Sequence, residues 1–207
     1  MIVTLLDNGA DTEARHTPTN RTSLAVAAHC GNSEVVYLLI RYNAKPDARD
    51  VDLSTPLHLA ASRGHCKVME VLLNEDVDIE ATNQSKQTPL WIATHHGHSK
   101  AAEMLLGKGA KANARGSNQL TALHTATKQG DTEMIELLLH HNSHIEARDS
   151  DSMTALHYAC EAGHYLVADF LIQKGANIEA SGKDSKSPLI CAASSGHCQV
   201  VELLSKR

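Results

Sequence analysis

Thr55-Pro56-Leu57-His58-Leu59-Ala60-Ala61-Ser62-Arg63-Gly64-His65 decides how this chain is built, because the stretch returns. Thr22, Thr55, Thr88, Thr121, Thr154 and Ser187 head six versions of it, each 33 residues after the last. Two residues beyond each head stands Leu24, Leu57, Leu90, Leu123, Leu156 or Leu189. Five beyond stands an alanine, from Ala27 to Ala192, and nine beyond a glycine, from Gly31 to Gly196. A fixed period with constant interior positions marks a solenoid, in which each unit buries its apolar face only against its neighbours.

Each head opens a helix. A Thr or Ser hydroxyl accepts a hydrogen bond from the first unpaired backbone amides. Pro56, Pro89 and Pro188 follow at the first helical position, where a missing N–H costs nothing. The helix runs for about eight residues to the glycine, which permits a left-handed turn into a second helix. Val35, Val36, Leu38 and Leu39 in one second helix, and Met134, Ile135, Leu137 and Leu138 in another, fall on a single face. Residues 101–106 give the leanest version of that face and predict the weakest unit.

The period and the Thr-Pro-Leu-His core resemble the ankyrin repeat, over the whole chain. That resemblance implies an all-α solenoid of stacked helix-turn-helix units with short β-hairpin fingers. It divides a single domain, 1–207, into a partial repeat 1–21, repeats headed at 22, 55, 88, 121 and 154, and a truncated repeat 187–207. Family members usually carry glycine two places before the head. Here those fingertip positions are Asn20, Leu53, Lys86, Gln119, Ser152 and Ser185, which leaves the turn to neighbouring Asn and Asp. The connector from Gly9 to Thr22 is one residue longer than that from Gly109 to Thr121, and predicts a bulged first finger. Met1 to Asp11 aligns with a second helix lacking its first, and Arg207 follows directly on the last second helix. Neither end is rewritten in polar residues, so a segment of a longer array is expected.

Composition narrows the function classes. A net charge of -5 argues against non-specific nucleic-acid binding, which needs a basic stripe. No apolar run approaches the roughly 18 residues of a membrane span. Five cysteines without a Cys-x-x-Cys pair fit free thiols in a reducing compartment, cytoplasm or nucleus. Cys66, Cys160, Cys191 and Cys198 read as small core fillers and Cys30 as an exposed thiol. His29 adjoins Cys30, but neighbours on a helix diverge, so no base is positioned for a nucleophile.

Fourteen histidines raise a metal site. His58, His124 and His157 repeat at one position of the period, and His65, His98, His164 and His197 at another; the resemblance implies structural hydrogen bonds for both sets. His95 and His96 diverge on a helix, and His140, His141 and His144 lack the convergent ligands that zinc requires. No P-loop, Gly-x-Gly-x-x-Gly, His-Glu-x-x-His or Gly-x-Ser-x-Gly motif occurs. No cofactor, metal or catalytic residue is therefore expected. Asn113, in Ala-Asn-Ala, resembles ankyrin asparagines that tie a loop down and that oxygenases can hydroxylate.

The informative surface is what varies while the scaffold repeats. The resemblance places partners on a concave face of fingertips and first-helix ends. Carried onto this sequence, that face comprises Arg21, His29, Asp52, Arg63, Gln84, His95, His96, Leu120, Lys128, Gln129, Asp151, Met153, Glu161 and Asp184. Its mixed signs suit another protein better than a polyanion. Arg63, His95, His96 and Lys128 give it a mildly cationic middle, favouring an acidic segment. The expected function is a non-enzymatic protein-binding scaffold, monomeric unless its terminal repeats self-associate. A regulatory segment of a larger signalling protein or enzyme, or a structural spacer or self-assembly module, is the competing reading.

Overall fold

Capping decides where each first helix begins. The Thr22 hydroxyl accepts the Ala25 amide at 3.3 Å, and Thr88 and Ser187 do the same for Trp91 and Ile190. Around such starts, in the computed structural model, thirteen α-helices form among the described residues, 2–206. Met1 and Arg207, the ends discussed above, lie outside that range.

Met1–Ala110 and Lys111–Arg207 form two compact units. The N-terminal unit holds α1 (Ile2–Asp7), strands β1 (Arg15–His16) and β2 (Arg21–Thr22), and three helix pairs. These are α2 (Ser23–His29) with α3 (Ser33–Arg41), α4 (Pro56–Ala61) with α5 (Cys66–Leu73), and α6 (Pro89–His95) with α7 (Ser99–Gly107). The C-terminal unit pairs α8 (Ala122–Gln129) with α9 (Thr132–His140), α10 (Ala155–Ala162) with α11 (Tyr165–Gln173), and α12 (Pro188–Ser194) with α13 (Cys198–Ser205). First helices stack on first helices within each unit, α2 on α4 on α6, and α8 on α10 on α12.

Burial follows the period. Leu24, Leu57, Leu90, Leu123 and Leu156 are each no more than 2% exposed, whereas Leu189 is 39% exposed. Second helices supply the other half of the core through Val68, Met69 and Leu72, or Met134, Ile135 and Leu138. Ala101, Ala102 and Leu105 of the lean third repeat are fully buried as well. The glycine turn is left-handed as expected, and it is also a packing site. At Gly31, φ +79°, an added Cβ would come 2.8 Å from the His65 ring.

The repeated histidines hold neighbouring repeats together. Thr55 donates its N–H to His58 Nδ1 at 3.2 Å, so the ring proton sits on Nε2, 3.1 Å from the Gln87 carbonyl in the next connector. His124 and His157 make the same reach, to Met153 and Lys186. His65, His98, His164 and His197 each direct Nε2 at the end of the preceding first helix, onto the carbonyls of His29, Ser62, Lys128 and Glu161.

The fingers reverse the chain in two ways. The lengthened first connector pairs β1 with β2, Arg15 opposite Thr22. In three later ones an Asp or Asn five residues before the head brackets the turn. Asp50 Oδ1 accepts the Asp52 and Ser54 amides, Asn83 those of Ser85 and Gln87, and Asp149 those of Asp151 and Met153. Where that position is Gly116 or Gly182, a short 3-10 turn forms instead, with two successive left-handed residues. All six positions usually filled by glycine adopt positive φ, from +57° at Asn20 and Lys86 to +60° at Gln119 and Ser152. A second repeated residue clamps three of these turns. Arg49 donates to the carbonyls of Leu53 and Thr82, Arg115 to those of Gln119 and Arg148, and Arg148 to those of Ser152 and Ser181.

Candidate recognition surfaces

In the N-terminal unit the C-terminal ends of α2, α4 and α6 bring His29, Arg63, His95 and His96 onto one strip. Arg63 Nη2 lies 3.4 Å from His29 Nε2. Trp91 stacks on His95 with ring centroids 5.0 Å apart, His95 meets His96 edge-on at 5.2 Å, and His96 stacks on His98 at 6.2 Å. Partial burial holds the His29 imidazole below its ordinary pKa, helped by the charges of Arg21, Arg63 and His65. His96 is lowered for the same reason, with His95, His98 and Arg63 as its charged neighbours. Arg21 differs from its neighbours in the predicted set. Its guanidinium is committed to Asp50, Nε to Oδ2 at 3.1 Å, and that carboxylate is only 1% exposed. Asp52 and Gln84 are exposed on successive fingertips joined by the Gln84 amide and the Asp52 carbonyl, 2.8 Å.

The C-terminal unit assembles another kind of surface. Lys128 places its ammonium 5.0 Å from the centroid of the Tyr158 ring, and the Tyr158 hydroxyl donates to Asp149 Oδ2. Burial and that carboxylate raise the phenol pKa. Lys183 pairs with Asp151, Nζ to Oδ1 at 3.1 Å, which raises the pKa of the exposed ammonium. Asp151, Met153 and Glu161 line a cavity of about 170 Å³ together with Tyr158, Lys183 and Lys186. Leu120 is half-buried, Gln129 lies exposed at the end of α8, and Asp184 is exposed on a left-handed fingertip. Met153, expected at a tip, is 9% exposed. Its sulfur packs where a Cβ on Gly182 would sit.

The sequence reading missed Tyr158, Asp149 and Trp91. Asp149 had a signal: it repeats the position of Asp50 and Asn83. Trp91 stands where other repeats carry the tying histidine, and its indole Nε1 is buried without a hydrogen-bond partner. Two thiols also differ from expectation. Cys160 and Cys191 are buried, with burial pushing the Cys160 thiol up to about 12, but Cys198 is exposed and Cys66 half-buried, each as the first residue of a second helix. Cys30 is exposed. Asn113 ties its loop, accepting the His144 amide at 2.7 Å and donating to the Asn142 carbonyl at 2.9 Å. No group of three or more His, Cys, Asp or Glu among the described residues is arranged to hold a metal ion. Nor is any described helix long and apolar enough to cross a membrane.

A family profile described as ankyrin repeats (3 copies) matches residues 1–83, 24–116, 75–149, 106–181 and 145–207, overlapping along the whole chain. The chain belongs to the ankyrin-repeat family. A search of curated proteins finds no match. Ankyrin repeats are in general protein–protein interaction modules, and every position shared between these repeats is spent on caps, core and ties.

Proposed function

We propose that this chain is a non-enzymatic recognition scaffold that binds another protein through its fingertips and the C-terminal ends of its first helices. One observation carries the reading: the exposed side chains there change from repeat to repeat, while the repeated polar groups are consumed internally. Thr55 and His58 cap and tie, Asp50 and Arg49 hold the finger, and Arg63, His96, Lys128 and Glu161 remain outward on that frame. The partner is a protein in preference to a nucleic acid, given the charge of -5. Five free thiols suit the cytoplasm or nucleus, and the chain acts as a monomer unless its terminal repeats self-associate. Binding by so rigid a frame rests on a few central contacts, not on total area.

Affinity capture with three baits tests this: wild type, a variant with Arg63, His95 and His96 as Ala, and one with Lys128, Asp151 and Glu161 as Ala. A protein held by wild type and lost from either variant, both folded by circular dichroism, is the expected result. Identical partners on all three baits would move recognition off these surfaces.

A further inference from the structure

Around His29 and His96, at the helix ends of the N-terminal unit, the charged neighbours are basic groups. Arg21, Arg63 and His65 are the charged neighbours of His29, and His95, His98 and Arg63 those of His96; none is a carboxylate. Asp50 touches the set only through Arg21, which it already neutralises. Two hydrogen-bonding nitrogens here are also unserved. Arg63 donates towards His29 Nε2, which places the neutral ring's proton on Nδ1, and Nδ1 is buried without an acceptor. Trp91 Nε1, on the same helix as His95, is in the same condition. Both atoms are buried, so a partner does not reach them and their cost stays in the frame.

Carboxylates supply the negative charge that these basic groups lack, and guanidinium–carboxylate and imidazolium–carboxylate hydrogen bonds are among the strong ones. We propose that His29, Arg63 and His96 together take the side-chain carboxylates of an acidic peptide segment, and that His29 and His96 gain protons as it binds. This rests on the recognition reading above and names the partner's chemistry at one part of that surface. The neutral imidazoles of the unbound protein become imidazolium beside bound carboxylates, so binding takes up protons and tightens as pH falls through the ordinary histidine range. Aspartate carboxylates stay ionised there, so the pH response belongs to the protein.

The probe is a fluorescein-labelled octa-aspartate, followed by fluorescence anisotropy at about pH 7.5 and about pH 5.5. Circular dichroism at each pH confirms that the chain is folded. Binding is expected to be about tenfold tighter at the lower pH, as an average uptake of about half a proton over that interval requires. His29→Ala with His96→Ala should abolish the pH response, and Arg63→Ala should weaken binding at both pH values. His140→Ala with His141→Ala, which removes two imidazoles elsewhere, should change neither. A pH response that survives loss of His29 and His96, or falls equally with His140 and His141, overturns the proposal. So does absence of octa-aspartate binding by a folded chain. If a protein captured above is still lost from either surface variant, the recognition reading stands while this one fails.

Discussion

The first-helix ends of the N-terminal and C-terminal units are made by the same fold from the same positions, yet they spend charge differently. In the first, Arg63 faces imidazoles, and the charges around His29 and His96 are all positive. In the second, Lys128 rests on Tyr158, Tyr158 is held by Asp149, and Lys183 is held by Asp151. On the recognition reading proposed above, the first surface keeps electrostatic capacity for a partner, and the second has largely satisfied itself. Caps, core and ties sit at fixed positions of the period, which leaves the side chains at the helix ends free to vary.

The strongest way to break the comparison is to show that the frames differ as well. Leu57→Ala in the N-terminal unit and Leu123→Ala in the C-terminal unit each remove a leucine that is 1% exposed. Each should cost about 2–5 kcal/mol, as loss of a buried leucine does. Urea melts in which one of them costs below about 1 kcal/mol would show that the two cores are not equivalent.

Acid should loosen the frame while it charges the first surface. Burial pushes the folded pKa of His58 down to about 4 from an ordinary 6.5. The unfolded chain therefore binds a proton at this residue that the folded chain refuses between those values. Its stabilising contribution is whole above about pH 6.5 and is lost as pH falls to about 4, by about 3 kcal/mol at most. His58→Gln, which can still accept from Thr55 and donate to Gln87, should flatten the fall of the melting temperature over that interval. An unchanged slope would remove His58 from the account.

Smaller effects separate fingers from surfaces. Leu53 and Gln119 hold φ of +59° and +60°, one in each unit, where a side chain is strained. Replacing either with glycine should stabilise by about 0.5–1 kcal/mol once glycine's greater unfolded entropy is deducted. Destabilisation in a thermal melt would mean that the side chain itself contributes. The smallest change expected is in Lys128→Ala and His96→Ala, within about 0.5 kcal/mol of wild type, since both lie on exposed helix ends. Melts as depressed as those of the leucine variants would merge scaffold and surface.

Much of this was legible because a period repeats its physics. Heads, leucines and glycines announced the helices, their caps and the core, and histidines at two fixed positions announced the ties. The arginine clamp was equally visible, as Arg49, Arg115 and Arg148 each stand six residues before a head. The fingertip form follows from one position, Asp or Asn for a bracket and Gly for a 3-10 turn. Side-chain employment at the tips was not legible. Arg21 joins Asp50 from 29 residues away, and Met153 turns inward because Gly182 leaves room for its sulfur. Contacts of that kind depend on how one repeat lies on the next, which spacing within a repeat does not encode.

The most direct measurement is a residue-resolved amide spectrum of the whole chain titrated with octa-aspartate at about pH 6. The expected shifts cluster on His29, Arg63 and His96, while Lys128, Asp151 and Lys183 stay in place. Shifts centred on Lys128 and Lys183, or spread evenly over both units, would contradict the contrast between the two surfaces.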